Sequence, residues 1–286
     1  MTALPRRATV IIPTHDHGAT LRYPLASLKR QTLADFQAYV IGDGVPEALK
    51  PTVRALVAED ARFHFLDHPK HARRGEPYRH TVLQSAADGI VGYLCDRDIW
   101  LPEHLERMWT QLQDADYTHA LPLHVLPEAR LRAFPIDLGF EGYRALMCSM
   151  NDNRIPFSCF AHRLSAYHGL AEGWATTPGH AWTDLHMFRK FFADPALRGV
   201  SGLEATAVTF PSPPRKDWTA AQRVDELAHW WQRLDDPAGV AGFQIDSLRE
   251  TVRAHREESA QLSRYAQQLL AQVQQTQHNA LWRTLV

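Results

Sequence analysis

Apolar and polar positions along the first third of the chain follow two rhythms, one suited to strands and one to helices. The β-branched run ATVII at 8–12 ends at Pro13 and reads as a strand buried on both faces of a parallel sheet. After the polar loop THDHGAT, Leu21, Leu25 and Leu28 recur at spacings of four and three in LRYPLASLKRQT, a helix that tolerates Pro24 near its first turn. FQAYVIGDG is a second strand running into a glycine turn, LKPTVRALVAED a second helix, and FHFLDHP a third short strand. A helical segment around 79–87 carries the chain to IVGYLCDRD, a fourth apolar strand with an acidic pair at its carboxyl end. Strands alternating with helices predict an α/β fold with a doubly wound, mostly parallel sheet flanked by helices.

The later pattern is more helical. LPEHLERMWTQLQ has Pro102 at its start and Glu103 and Glu106 in or near the first turn, where a helix dipole favours acids. Residues 117–160 mix short strands and loops, and AWTDLHMFRKFFAD is an amphipathic helix with Trp182, Leu185, Phe188 and Phe192 spaced for one face. The proline cluster in FPSPPRKDW, at 210–218, marks a boundary or crossing loop. Beyond it, 219–236 form one helix and 241–285 a long polar one rich in Gln, Glu and Arg. Its heptad seam runs Leu248, Val252, His255, Ser259, Leu262, Ala266, Leu269, Val273, Thr276 and Ala280, too many of them small or polar for a strong zipper. Two readings stay open: a homo-oligomerisation arm, or a helix packed back on the preceding domain.

Composition narrows the class. The 286 residues are 45% hydrophobic with a net charge of −1, so no global basic field points to nucleic acid. Three widely spaced cysteines, Cys95, Cys148 and Cys159, form neither a zinc motif nor a disulfide framework, which suits a reducing cytosol. No stretch reaches the ~18 apolar residues of a membrane span, so the expectation is a cytoplasmic protein, soluble or peripheral at the inner face of a membrane.

Three polar loops, THDH, GDG and DRD, fall at strand carboxyl ends, where doubly wound sheets bind ligands. Asp96 and Asp98 flank Arg97, so in extended backbone both carboxylates point to one side. Such a pair suits either a surface turn or a hard divalent cation.

The order of these features resembles the family 2 glycosyltransferases, the inverting GT-A group. The residues that carry it are ATVIIPTHDH, VIGDG, AADGIVGYLCDRDIWLPEHLERM, RIPFSCFAHR and GWATTPGHAWTDLHMFRKF, spanning about 8–195. The resemblance implies a GT-A domain at 1–215, with a nucleotide-binding half at about 1–115 and an acceptor half at about 116–215, followed by a helical extension at 216–286. It implies a nucleotide-diphospho-sugar donor, linked to UDP, GDP or TDP, and a glycan, glycolipid or polysaccharide acceptor. It also implies Mn²⁺ or Mg²⁺ on Asp98, with Asp96 near the ribose or the metal.

Pro13 and Thr14 match the family's nucleotide-bordering motif, while His15 and Asp16 replace a more usual aromatic–Asn pair; Asp16 alternatively caps the next helix. Asp43 occupies the place of a nucleotide-binding acid. Many members carry two adjacent acids followed by Gly-Ser, whereas this chain reads Gly42-Asp43-Gly44-Val45. Among the basic residues before the DRD strand, Arg79 is favoured over Arg73 and Arg74 for the donor's diphosphate or ribose. Asp184, in the first turn of its helix, matches the general base, with His180 and His186 as lesser contacts. Trp174 and Trp182 are candidates for stacking on a sugar, with core packing the favoured reading for Trp182.

The leading reading is a metal-dependent inverting glycosyltransferase working by single displacement. A nucleotidyltransferase-like enzyme is disfavoured because no glycine-rich phosphate loop with a lysine lies near the N-terminus. A non-catalytic nucleotide-sugar-binding scaffold is disfavoured by the retention of Asp96, Asp98 and Asp184.

Overall fold

The computed structural model describes residues 4–285, with side chains as far as residue 275. Seven strands form the central sheet: β1 (Ala8–Thr14), β2 (Phe36–Asp43), β3 (Phe63–His68), β4 (Ile90–Tyr93), β6 (Tyr117–His119), β9 (Phe160–Arg163) and β10 (Gly199–Ser201). Their order is β10-β6-β9-β4-β1-β2-β3, and β9 is the one strand that runs against its neighbours. Two small ribbons complete the strands, β5 (Ile99–Trp100) with β11 (Ala207–Val208) and β7 (Leu123–Val125) with β8 (Leu131–Ala133). The helices are α1 (Arg22–Lys29), α2 (Lys50–Val57), α3 (Glu76–Ser85), α4 (His104–Gln111), α5 (Glu141–Ser149), α6 (Leu164–Gly169), α7 (Thr183–Phe192), α8 (Ala220–Asp235) and α9 (Pro237–Leu285).

The strands read as unbroken apolar runs because helices cover both faces of the sheet, and Val10, Ile11 and Ile12 are all fully buried. β1 extends through Pro13 to Thr14, beyond the expected end. The pairing explains the tolerance. Ile11 O accepts the Leu94 N–H, so Pro13, two residues on, turns its nitrogen to the same side, past the end of the β1–β4 ladder at Tyr93. α3 starts at Glu76, ahead of the expected segment, because Gly75 takes a left-handed φ of 69° and Pro77 occupies the first turn.

Two apolar clusters hold the molecule. The larger surrounds the sheet and includes Ile12, Leu28, Val40, Tyr93, Phe160 and Phe188. The smaller joins Tyr23, Ile99, Leu101 and Phe210 to Leu227, Trp230 and Phe243, so α8 and the start of α9 share a core with the acidic turn's own strand, β5.

α9 is 49 residues long. Its first part packs against β8 and α8, and Glu258 accepts hydrogen bonds from Tyr143 Oη (2.8 Å) and Arg154 Nη1 (2.5 Å). Residues 259–275 are all exposed, including Leu262, Tyr265, Leu269 and Val273. The packed-back reading therefore applies as far as Glu258, whereas Thr276 and Ala280 of the seam lie outside the residues whose side chains are described. Among the described residues no helix is long and apolar enough to cross a membrane.

Candidate active site

β4 ends beside β1 and the chain turns sharply through Cys95–Asp98, closed by a hydrogen bond from Asp98 N–H to Cys95 O (3.1 Å). Asp98 is buried and held at both oxygens: Ser158 Oγ donates to Oδ2 (2.5 Å) and the Phe210 N–H to Oδ1 (2.8 Å). Ser158 also accepts the Cys95 N–H (2.9 Å), which ties the turn to the segment entering β9. Asp96, equally buried, meets Arg97 Nη1 at 3.2 Å and His17 Nδ1 at 3.8 Å. Arg97 bends back over the turn, and its Nε donates to Phe210 O (3.0 Å). Burial pushes the Asp98 carboxyl above its ordinary pKa, Asp96 adds to the rise, and Arg97, Ser158 and the Phe210 amide oppose it.

This donor set fits a hard divalent cation. Magnesium-like ions take one or two carboxylates and complete their shell with substrate phosphates and water, and ligating carboxylates are commonly aimed by hydrogen bonds of their own. Each Asp98 oxygen accepts one such bond and keeps a second lone pair. Among the described residues no set of three or more His, Cys, Asp or Glu side chains converges into an all-protein cage.

On the nucleotide side, Pro13 is half-buried and the buried Thr14 hydroxyl has no hydrogen-bond partner among the described residues. Asp16 is exposed and faces His17 Nδ1 (2.9 Å); α1 has no side-chain cap, so Asp16 does not serve as one. Asp43 is buried, with Lys70 Nζ at 2.5 Å from Oδ2 and the His71 N–H at 2.6 Å from Oδ1, and it organises the loop that leads to α3. Gly44 has φ 70°, and a Cβ there would lie 2.5 Å from Lys70 Cβ, so glycine is required. At Gly42 a Cβ would meet Val45 Cγ2 at 2.9 Å and Phe65 at 3.0 Å.

The third part of the site lies between α3 and the strap before α7. Glu76 is fully buried and accepts the N–H groups of Arg74 (3.0 Å) and Thr177 (3.4 Å). Burial alone would raise its pKa, but the helix-start amides, Thr177 and the Arg79 charge outweigh that and hold it below the usual carboxylate value. Arg79 is buried with its guanidinium 4.6 Å over the Trp174 ring; Nη2 donates to Arg74 O (2.8 Å), while Nε and Nη1 have no partner among the described residues. Arg73 Nη2 holds the strap through the Pro178 and Ala181 carbonyls, at 3.3 and 3.2 Å. Asp184 sits half-buried in the first turn of α7, without a hydrogen bond or ion pair among the described residues. Burial raises its pKa, and the charges of Arg79, Arg74 and Arg97 pull against the rise.

Asp96, Asp98, Arg97, Arg79 and Asp184 thus share one electrostatic neighbourhood, whereas Asp43 serves the 70–75 loop. The two tryptophans exchange their expected places. Trp182 is the N-cap residue of α7, with extended backbone that turns it off the apolar stripe, and it is 53% exposed. Trp174 is buried and donates its indole N–H to Tyr93 Oη (3.1 Å). His180 is exposed, His186 is half-buried and His80 pairs with Tyr167 Oη (2.7 Å). A surface depression of about 520 Å³ runs along 167–176 and is lined by none of the three acids. Sequence reasoning missed Ser158, Glu76 and His17; only His17, in a loop at a strand's carboxyl end, carried a local signal.

Comparisons with known proteins bear on the family and the fold. Over 116 residues, 38% of this chain and 36% of the relative, the sequence is 32% identical to the succinoglycan biosynthesis protein ExoW of Rhizobium meliloti (strain 1021). The match therefore spans little more than a third of that protein. Residues 1–349 of S. aureus TarS superpose with a TM-score of 0.54 at 13% identity, covering 87% of this chain and 71% of that one. Forms of TarS in complex with UDP and with UDP-GlcNAc give 0.52 at 15% identity and 0.53 at 14%, again over 87% of this chain and 71% and 72% of theirs. At such identities the likeness is one of fold. The model of glycosyl transferase family 2 matches residues 9–157, just over half of the chain. With the parallel sheet and the acidic turn at its carboxyl edge, that match makes this chain a glycosyltransferase and a member of family 2.

Proposed function

We propose that the protein is an inverting glycosyltransferase that moves a sugar from a nucleotide-diphospho-sugar to a glycan, glycolipid or polysaccharide acceptor. The observation that carries the reading is the pairing of a tightly held acidic turn with an unpaired acid, Asp184, whose pKa is raised by burial. The UDP and UDP-GlcNAc complexes of TarS support the donor class, and the role of ExoW in succinoglycan biosynthesis supports a polysaccharide acceptor.

Asp184 accepts the proton of the acceptor hydroxyl as that oxygen attacks the anomeric carbon from the face opposite the nucleotide. A new C–O bond forms, the bond to the diphosphate breaks, and the configuration inverts. Negative charge grows on the leaving diphosphate. Asp96 and Asp98 would hold a Mn²⁺ or Mg²⁺, which would supply Lewis-acid stabilisation of that charge. Arg97 adds a fixed positive group beside Asp96, and Ser158 and the Phe210 amide keep Asp98 aimed. Pro13 and Thr14 border the nucleotide, Asp16 and Asp43 shape its rim, and Arg79 sets the field around Asp184. An exposed Trp182 offers a ring to the acceptor sugar.

The test is release of nucleotide from UDP-, GDP- and TDP-sugars with Mn²⁺, repeated after chelation. One donor should be turned over, and chelator should stop it. No release from any donor would overturn the reading, and turnover in chelator would overturn its metal.

A further inference from the structure

The segment after β11 is stapled to the acidic turn twice, through Phe210 N–H to Asp98 and Arg97 to Phe210 O. It then enters α8, whose first turn is fixed by a capping box between Thr219 and Gln222. Arg215, 1% exposed, grips Glu226 through two 2.6 Å contacts and also donates to the carbonyls of Pro211 (3.0 Å) and Val125 (2.9 Å). The start of α8 is thereby locked to the turn.

α8 and α1 lie side by side in the same direction. Near their starts Tyr23 Oη donates to Val224 O (3.4 Å), and near their ends Arg30 pairs with Asp235 (2.7 Å). Both helix starts therefore face one end of the molecule. Just ahead of α1, Thr20 Oγ1 donates to Asp96 O (2.9 Å), so that end is the acidic turn. Arg223 stands there. Its Nη2 donates to Arg215 O (2.6 Å), and its Nη1 lies 3.5 Å from His17 Nε2, whose other nitrogen is 3.8 Å from Asp96 Oδ2. A single imidazole separates the guanidinium from the acid.

Arg97 and Arg215 are each paired with a carboxylate, but Arg223 has none among the described residues, and neither has Arg22, which rests on Tyr23. A cation in the first turns of a helix opposes the dipole, and α8 has no acid in its first turn to offset it. Asp217 and Asp225 are exposed and form no ion pair or hydrogen bond with Arg223. An uncompensated guanidinium at this place costs stability unless an anion uses it. A nucleoside diphosphate carries more charge than one divalent cation neutralises, and a planar guanidinium takes phosphate oxygens two at a time.

We propose that Arg223 binds the donor's diphosphate, so that α8 forms a second wall of the donor site. The proposal rests on the nucleotide-sugar reading above. Isothermal titration of the full-length chain with UDP, GDP and TDP, each with Mn²⁺, identifies the nucleotide bound. With that nucleotide Arg223→Gln should weaken binding by about tenfold or more, and Arg223→Lys, which keeps the charge but not the fork, by about threefold. Arg233→Gln, the same charge change at the other end of α8, should stay within about twofold of wild type. The loss in Arg223→Gln should shrink for the corresponding nucleoside monophosphate, and circular dichroism checks that each variant is folded. Should Arg223→Gln not fold, Arg223→Lys carries the same comparison. Unchanged diphosphate affinity in the folded variants, or an equal loss for the monophosphate, overturns the role of Arg223 and leaves the donor reading standing. Failure of the wild-type chain to bind any of the three diphosphates overturns both.

Discussion

Asp98 and Asp184 are both pushed above the ordinary carboxylate pKa by burial, yet their surroundings differ in kind. Asp98 is gripped at each oxygen, by a hydroxyl and by a backbone amide, from segments far apart in the chain. Asp184 has no such grip among the described residues; burial and the charge of Glu76 raise its pKa, and the charges of Arg79, Arg74 and Arg97 pull against the rise. A carboxylate that must stay ionised and aimed gains from fixed donors, because they favour the charged form. A carboxylate that must take up a proton would be hindered by the same donors. The contrast separates a group built to hold from a group built to react.

The largest expected effect tests the reacting half. Asp184→Asn should lower transfer kcat by about 10²- to 10⁴-fold and leave nucleotide affinity nearly unchanged; retention of full rate would remove Asp184 from the role of base. Next, Ser158→Ala removes one of the two groups that aim Asp98. Metal-dependent nucleotide binding should fall by about 10- to 100-fold, with Mn²⁺ titration as the readout, and an unaltered Mn²⁺ requirement would mean that Asp98 needs no such aiming.

Arg79→Met should act through pH rather than through binding. Transfer is lost as pH falls through the Asp184 pKa, which lies above the ordinary 3.8. Arg79 is the strongest charge opposing that rise, so its removal moves the acid limb of the pH–rate profile to higher pH. A limb that stays put, or moves down, contradicts the arrangement.

The smallest effect concerns stability. A carboxyl whose folded pKa is raised favours folding below its unfolded pKa and loses that contribution as pH rises through the folded value. Without metal, the Tm advantage of Asp98→Asn over wild type should therefore grow as pH rises above the ordinary carboxyl value of 3.8. A gap that narrows with rising pH would show that Asp98 is not raised.

Much of this was legible in the chain because it depends on local pattern. THDH, GDG and DRD each follow an apolar run, and the parallel sheet brings such runs to a common edge. The existence of α7 was likewise marked by its periodic apolar positions, although the helix starts at Thr183, two residues after the expected segment. What escaped depends on distance along the chain. Ser158 and Phe210 reach Asp98 only because β9 reverses through the sheet and the chain returns after β11 to pair with β5. Glu76 looks like any helix-start acid, and nothing local shows that it is fully buried. Trp182 followed the helical spacing but fell on the N-cap, where periodicity no longer sets direction.

Gly42 and Val45 bear on which substitutions the end of β2 can accept. A Cβ at position 42 would lie 2.9 Å from Val45 Cγ2 and 3.0 Å from Phe65 Cε2, so a side chain there collides with both. A side chain there becomes acceptable only once Val45 has shrunk and Phe65 has shifted, so these sites are epistatic and the order of substitution is constrained. Any replacement of Gly42 in this chain would have to follow changes at residues 45 and 65, neither of which carries a charge of its own.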